Sequence, residues 1–141
     1  MVYGFRLAIK ADLGSRVVRA WGIVPAAAGE RDVAEDLLDA GPPPCDLLVD
    51  KGFTGAAFAA RQAARGTAVL LPPAKAQRHT MPPALRTIIA HWRNRIEATF
   101  GEITDQMALA RHGAHTFWGA LTRTAATIAA HTLMRLCLTA A

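Results

Sequence analysis

The sequence predicts an α/β domain on a mixed sheet, and three observations predict it. An alternating apolar run is followed, across a short turn, by a second β-rich run, which makes an antiparallel hairpin. Two later apolar runs are each set between breakers and separated by a helical pattern, as parallel strands are. Two long stretches with apolar residues at three- and four-residue steps close the chain. The 141 residues are 52% apolar and 19% charged, so a packed core is expected and general disorder is not. Aromatics make up only 6%, so Ala, Leu, Ile and Val must fill most of that core. The length suits one domain and is too short for separate DNA-reading and chemical domains.

Taken in order, Tyr3 to Lys10 has Tyr3, Phe5, Leu7 and Ile9 alternating, which is a strand with one buried face. Ala11 to Ser15 supplies turn residues, and Arg16 to Val24 is the second strand. Pro25 ends it. Glu30 to Ala40 is helical, with Val33, Leu37 and Leu38 on one side and acids on the other; Gly41 and three prolines stop it. Cys45 to Asp50 is a short buried strand ending in an acid. Thr54 can cap a helix to about Arg65, with Gly66 closing it, and Thr67 to Leu71 is another apolar strand. Ala74 to Pro83 is basic and rich in breakers, which predicts an exposed loop. A long helix then begins at Ala84 with Leu85, Ile88, Trp92, Ile96, Phe100, Ile103 and Met107 as its apolar line, ended by Gly113. The last helix runs from about Thr116 to Leu138. Its apolar stretch approaches the length of a membrane span, but Arg123, His131 and Arg135 interrupt it, so a buried terminal helix is predicted. Met1 to Lys10 lacks the sustained apolar stretch of a signal peptide. Cys45 and Cys137 form no spaced motif, which argues against a disulfide framework or a zinc knuckle and for a reducing compartment.

Sixteen Lys and Arg face eleven Asp and Glu, a formal net charge of +5 that favours polyanionic partners. The charge is unevenly placed. Eight acids lie in the first fifty residues, and none follows Asp50 until Glu97. Between those two lie eight bases: Lys51, Arg61, Arg65, Lys75, Arg78, Arg86, Arg93 and Arg95. This is either a solvated basic surface or a phosphate-binding face beside an acidic site, where counterion release would favour any nucleic acid.

Asp50 ends a predicted strand at its carboxyl edge, where α/β sheets gather ligands and catalytic groups; equally, it can cap the turn with Gly52. Glu97 lies in the long helix four residues after Arg93, an ordinary surface ion pair when taken alone. Together the two acids suggest more. Magnesium is a hard ion that takes carboxylate oxygens plus water and phosphate. Two such ions about 3.5–4 Å apart can activate an attacking oxygen and stabilise the leaving one. The five histidines show no zinc spacing, Ser15 and Cys45 carry no nucleophile signature, and Gly-rich phosphate loops are absent.

Leu47-Leu48-Val49-Asp50-Lys51-Gly52-Phe53 resembles the second-aspartate strand of bacterial insertion-sequence transposases of the DDE type. Arg93 with Glu97, and Arg95-Ile96-Glu97-Ala98-Thr99-Phe100, resemble the stretch around that family's catalytic glutamate. Tyr3 to Leu7, Trp118 to Arg123 and Ala130 to Leu133 resemble its strand after the first catalytic strand and its final helix, so the likeness is collinear over nearly the whole chain. The resemblance implies a ribonuclease-H-like catalytic domain that cuts and joins transposon DNA ends with two Mg2+ or Mn2+ ions. It implies Asp50 as second acid and Glu97 as third, both catalytic and metal-binding, with Lys51, Lys75, Arg78, Arg93 and Arg95 on DNA. Ala90 stands where the family has Tyr, and Thr104 where it has Lys. The family's first acid would precede Tyr3, and Asp12 falls in the hairpin turn. The expectation is therefore a single, amino-terminally truncated catalytic domain, lacking the first strand, with weak or no activity by itself. Its partners would be transposon and target DNA and a second copy or a full-length transposase, in the bacterial cytoplasm at the nucleoid and not in a membrane. The alternatives are a non-enzymatic DNA-binding remnant or inhibitor of a full-length transposase, and a different nuclease on the same fold.

Overall fold

The structure, a computed structural model, describes residues 5–49, 55–72, 80–111 and 113–140. The chain divides into two compact units. Unit 1 comprises Met1–Ala28 and Arg95–Ala141, and unit 2 is Gly29–Asn94.

Unit 1 opens with the hairpin. Strands β1 (Phe5–Ala11) and β2 (Val18–Pro25) pair antiparallel, Ile9 opposite Trp21, and the register slips between Lys10 and Ala11. The turn between them is held by its own polar groups. Asp12 N–H donates to the Val17 carbonyl at 3.0 Å, and Arg16 N–H to the Asp12 carbonyl at 2.9 Å. The Asp12 carboxylate accepts from Ser15 at 3.2 Å and from Arg19 at 2.7 Å. Asp12 is thus a turn-building residue, as its place in the sequence suggests. Arg16 has φ 64°, the left-handed region that non-glycine residues seldom adopt.

Of the predicted apolar face of β1, Leu7 and Ile9 face the core, Phe5 is exposed and Tyr3 lies outside the described residues. Leu7, Ile9, Ala11 and Trp21 pack against a core of Val18, Ile103, Leu109 and Ile128. The last two come from the closing segments: a 3-10 turn at Leu109–Arg111 and the terminal helix α4 (Phe117–Ala140). The terminal helix buries one stripe, Ala120, Thr124, Ile128 and His131, at steps of four and three. Among the described residues no helix is long and apolar enough to cross a membrane.

Unit 2 contains α1 (Glu30–Asp39), β3 (Asp46–Leu48), α2 (Ala56–Ala64) and β4 (Ala68–Leu70). Strands β3 and β4 pair in parallel, Leu47 opposite Val69, with α2 as the crossover. Gly66, at φ 80°, closes α2 as predicted, and Thr67 N–H returns to the Gln62 carbonyl at 3.0 Å. Two ion pairs join α1 to α2: Arg61 to Glu35 at 2.6 Å and Arg65 to Asp39. Among the described residues the four strands form two separate two-stranded sheets, whereas the sequence predicts both kinds of pairing in one mixed sheet. Strand β3 is also shorter than the predicted Cys45–Asp50, and Asp50 itself lies outside the described residues.

Helix α3 (Pro83–Gly101) runs through the division between the units, and α4 follows the π-turn (Glu102–Gln106) and the 3-10 turn. The sequence predicts one long helix ended by Gly113, with Leu85, Ile88, Trp92, Ile96, Phe100, Ile103 and Met107 on its apolar line. Ile103 is buried as predicted, but Leu85, Ile88 and Phe100 are exposed, and Ile89 and Thr99, off that line, are buried. In unit 1 the reason is polar. Arg95, Thr99 and Glu102 hydrogen-bond to groups of the hairpin turn, and that sets which side of the helix faces inward.

Candidate active-site helix

The two glutamates of this region have opposite environments. Glu97 is exposed on α3, and among the described residues its carboxylate has no ion-pair or hydrogen-bond partner. Glu102, five residues later, is engaged through both oxygens. Its Oε1 meets Arg16 Nη1 at 2.9 Å and also Arg135 Nη2; its Oε2 accepts from Arg135 Nε at 3.1 Å and lies 3.2 Å from His131 Nε2. All four side chains are largely or wholly buried, His131 completely. Two arginines around one carboxylate make a bidentate, charge-assisted cluster.

The cluster fixes the charge of its members. Burial works to raise the Glu102 pKa, but hydrogen bonds and charge from Arg135 and Arg16 outweigh it and hold the carboxyl below its ordinary value. Burial pushes His131 below its ordinary value; Glu102 opposes this, and Arg135 and Arg16 reinforce it. The neutral imidazole therefore donates from Nε2 to Glu102, a tautomer inferred from the partner. Among the described residues, His131 Nδ1 and Arg16 Nη2 are buried with no hydrogen-bond partner.

The hairpin turn binds α3 a second time. Arg16 Nε donates to Thr99 Oγ1 at 3.0 Å, Thr99 Oγ1 donates to the Arg95 carbonyl at 2.9 Å, and Arg95 donates to the carbonyls of Leu13, at 2.6 Å, and Gly14. The predicted DNA contact Arg95 thus spends two donors on the turn. Arg93 is half-buried one turn before Glu97 on the same helix. The remaining predicted site residues, Asp50, Lys51, Lys75 and Arg78, lie outside the described residues.

A hard divalent ion needs carboxylate oxygens with lone pairs open to it, not both already taken up by buried cations. Glu97 fits that requirement and Glu102 does not. Among the described residues there is no group of three or more His, Cys, Asp or Glu that could hold a metal. Sequence reasoning missed the Glu102 cluster entirely. Its only signals were Arg at a turn position that favours Gly or Asn, and His131 with Arg135 one helical turn apart inside an apolar tail.

No curated protein and no solved structure matches the chain. One family model does, described as a transposase DDE domain and matching residues 2–133. That span takes in the hairpin, the Arg93–Glu97 stretch and most of the terminal helix. The chain therefore belongs to the transposase DDE domain family.

Proposed function

We propose that this chain contributes to metal-dependent cleavage and strand transfer at transposon DNA ends, with Asp50 and Glu97 as two of the carboxylates that hold the ions. What carries the reading is Glu97: an exposed carboxylate, with no partner among the described residues, at the position where the family stretch has its catalytic glutamate. Two Mg2+ or Mn2+ ions would activate the attacking oxygen and neutralise charge on the phosphate. The chain's own residues have simpler tasks. Glu97 and Asp50 supply anionic oxygens. Lys51, Lys75, Arg78, Arg93 and Arg95 neutralise DNA phosphates. The order of a hairpin, then strands linked by a helix, then two long helices supports a ribonuclease-H-like fold. A second copy or a full-length transposase is the protein partner in this reading.

The test is Mn2+ binding followed by calorimetry, paired with nicking and joining of labelled transposon-end DNA. Glu97→Gln and Asp50→Asn should each weaken Mn2+ binding and remove any metal-dependent strand breakage. If both variants bind Mn2+ as the parent does, the metal assignment is wrong. Salt-sensitive DNA binding that survives Asp50→Ala and Glu97→Ala, with no metal binding at all, would instead identify a non-enzymatic DNA-binding remnant or an inhibitor.

A further inference from the structure

We propose that Arg16, Glu102 and Arg135 are positioning residues that clamp the end of α3 and so fix the direction of the Glu97 carboxylate. The inference rests on the reading of Glu97 as a metal ligand. Arg95, Thr99 and Glu102 follow one another at steps of four and three, and all three are bonded to the hairpin turn. Glu97 is two residues from both Arg95 and Thr99, about 200° around an α-helix, so it projects from the opposite side. A helix gripped on one side leaves the other free for a ligand while forbidding rotation about its axis.

The size of the effect decides its importance. Turning a helix by about 20° moves a side-chain tip at a radius of about 5–6 Å by about 2 Å. A ligating constellation tolerates displacement of only about 0.5 Å. Ile103 packs into the core beside Glu102, but in the turn around Glu97 Phe100 is exposed and the buried position is the polar Thr99. The polar clamp therefore adds rotational restraint where apolar packing is thin. The backbone of Arg16 agrees: a non-glycine residue is kept at φ 64° at a turn position from which its guanidinium reaches both Thr99 and Glu102.

The experiment places nitroxides at Gly14→Cys and Ala98→Cys in a Cys45→Ser, Cys137→Ser background. Distance distributions by pulsed electron resonance are compared with Mn2+ affinity in the unlabelled full chain. The parent should give one narrow distance. Glu102→Gln and Arg135→Met should broaden it and weaken Mn2+ binding about tenfold or more, as loss of a ligand's supporting contacts does. Arg135→Lys should recover part of both. Should Glu102→Gln unfold the chain, Arg135→Met and its Lys rescue carry the test. A distribution as narrow in the variants as in the parent overturns the clamp. Mn2+ binding that ignores Glu97→Gln overturns the metal reading instead, and the label widths still decide on the clamp.

Discussion

Glu97 and Glu102 are five positions apart, yet their substitution should have opposite costs. Removing one partner of a buried ion pair leaves the other charge uncompensated, about 3–5 kcal/mol. Glu102→Ala should therefore lower the stability of the chain by about that amount in a denaturant melt. Glu97→Gln, at an exposed position, should stay within about 0.5 kcal/mol. Acid should act through the same cluster. Glu102 is held below its ordinary value of 4.5, so the stability it confers is complete above that value and is lost as pH falls through the folded value. His131 is held below 6.5, so the unfolded chain takes up its proton first, and acidification destabilises the fold from about pH 6.5 downward. Both groups push the same way. Melting temperature should fall between pH 7 and 4, and His131→Gln should delay the fall until Glu102 titrates. Sequence could nominate Glu97 through its motif, but it could not reveal the Glu102 cluster. That cluster joins residues 16, 102, 131 and 135, which only the tertiary fold brings together.

At the scale of elements, the strands and helices were legible wherever breakers framed a periodic run. The hairpin, α1, α2 and α4 stand within about two residues of their expected limits. The π-turn was not legible, because Ile103 and Met107 continue the helical period while the backbone departs from it. A π-turn inside a long helix often marks a functional stretch, and this one begins at the clamped glutamate. The ion pairs between α1 and α2 are of another kind. Their side chains are 30–57% exposed, so Arg61→Ala and Arg65→Ala should each cost no more than about 1 kcal/mol, with the effect shrinking in salt. Ile128→Ala, in the core of unit 1, should cost about 2–5 kcal/mol. Urea melts of the three variants would rank these contributions.

For the whole molecule, net charge gives a prediction independent of the catalytic assignment. With a formal charge of +5 and no acid between Asp50 and Glu97, binding to duplex DNA should weaken linearly in log–log plots against salt. A salt-independent affinity in fluorescence anisotropy would refute an electrostatic interface. The α/β class was legible because it depends on local periodicity. The division into two units was not, since it depends on which distant segments meet.

That division bears on how the polypeptide is made. Unit 1 is discontinuous in sequence, with the whole of unit 2 inserted between its hairpin and its helices. On the ribosome the hairpin emerges first, and Leu7, Ile9 and Trp21 must wait for Ile103, Leu109 and Ile128 to be translated before they find cover. Unit 2 can meanwhile complete its local contacts. The nascent chain thus carries an uncovered apolar ribbon for as long as unit 2 is being made, a natural point of capture for a chaperone.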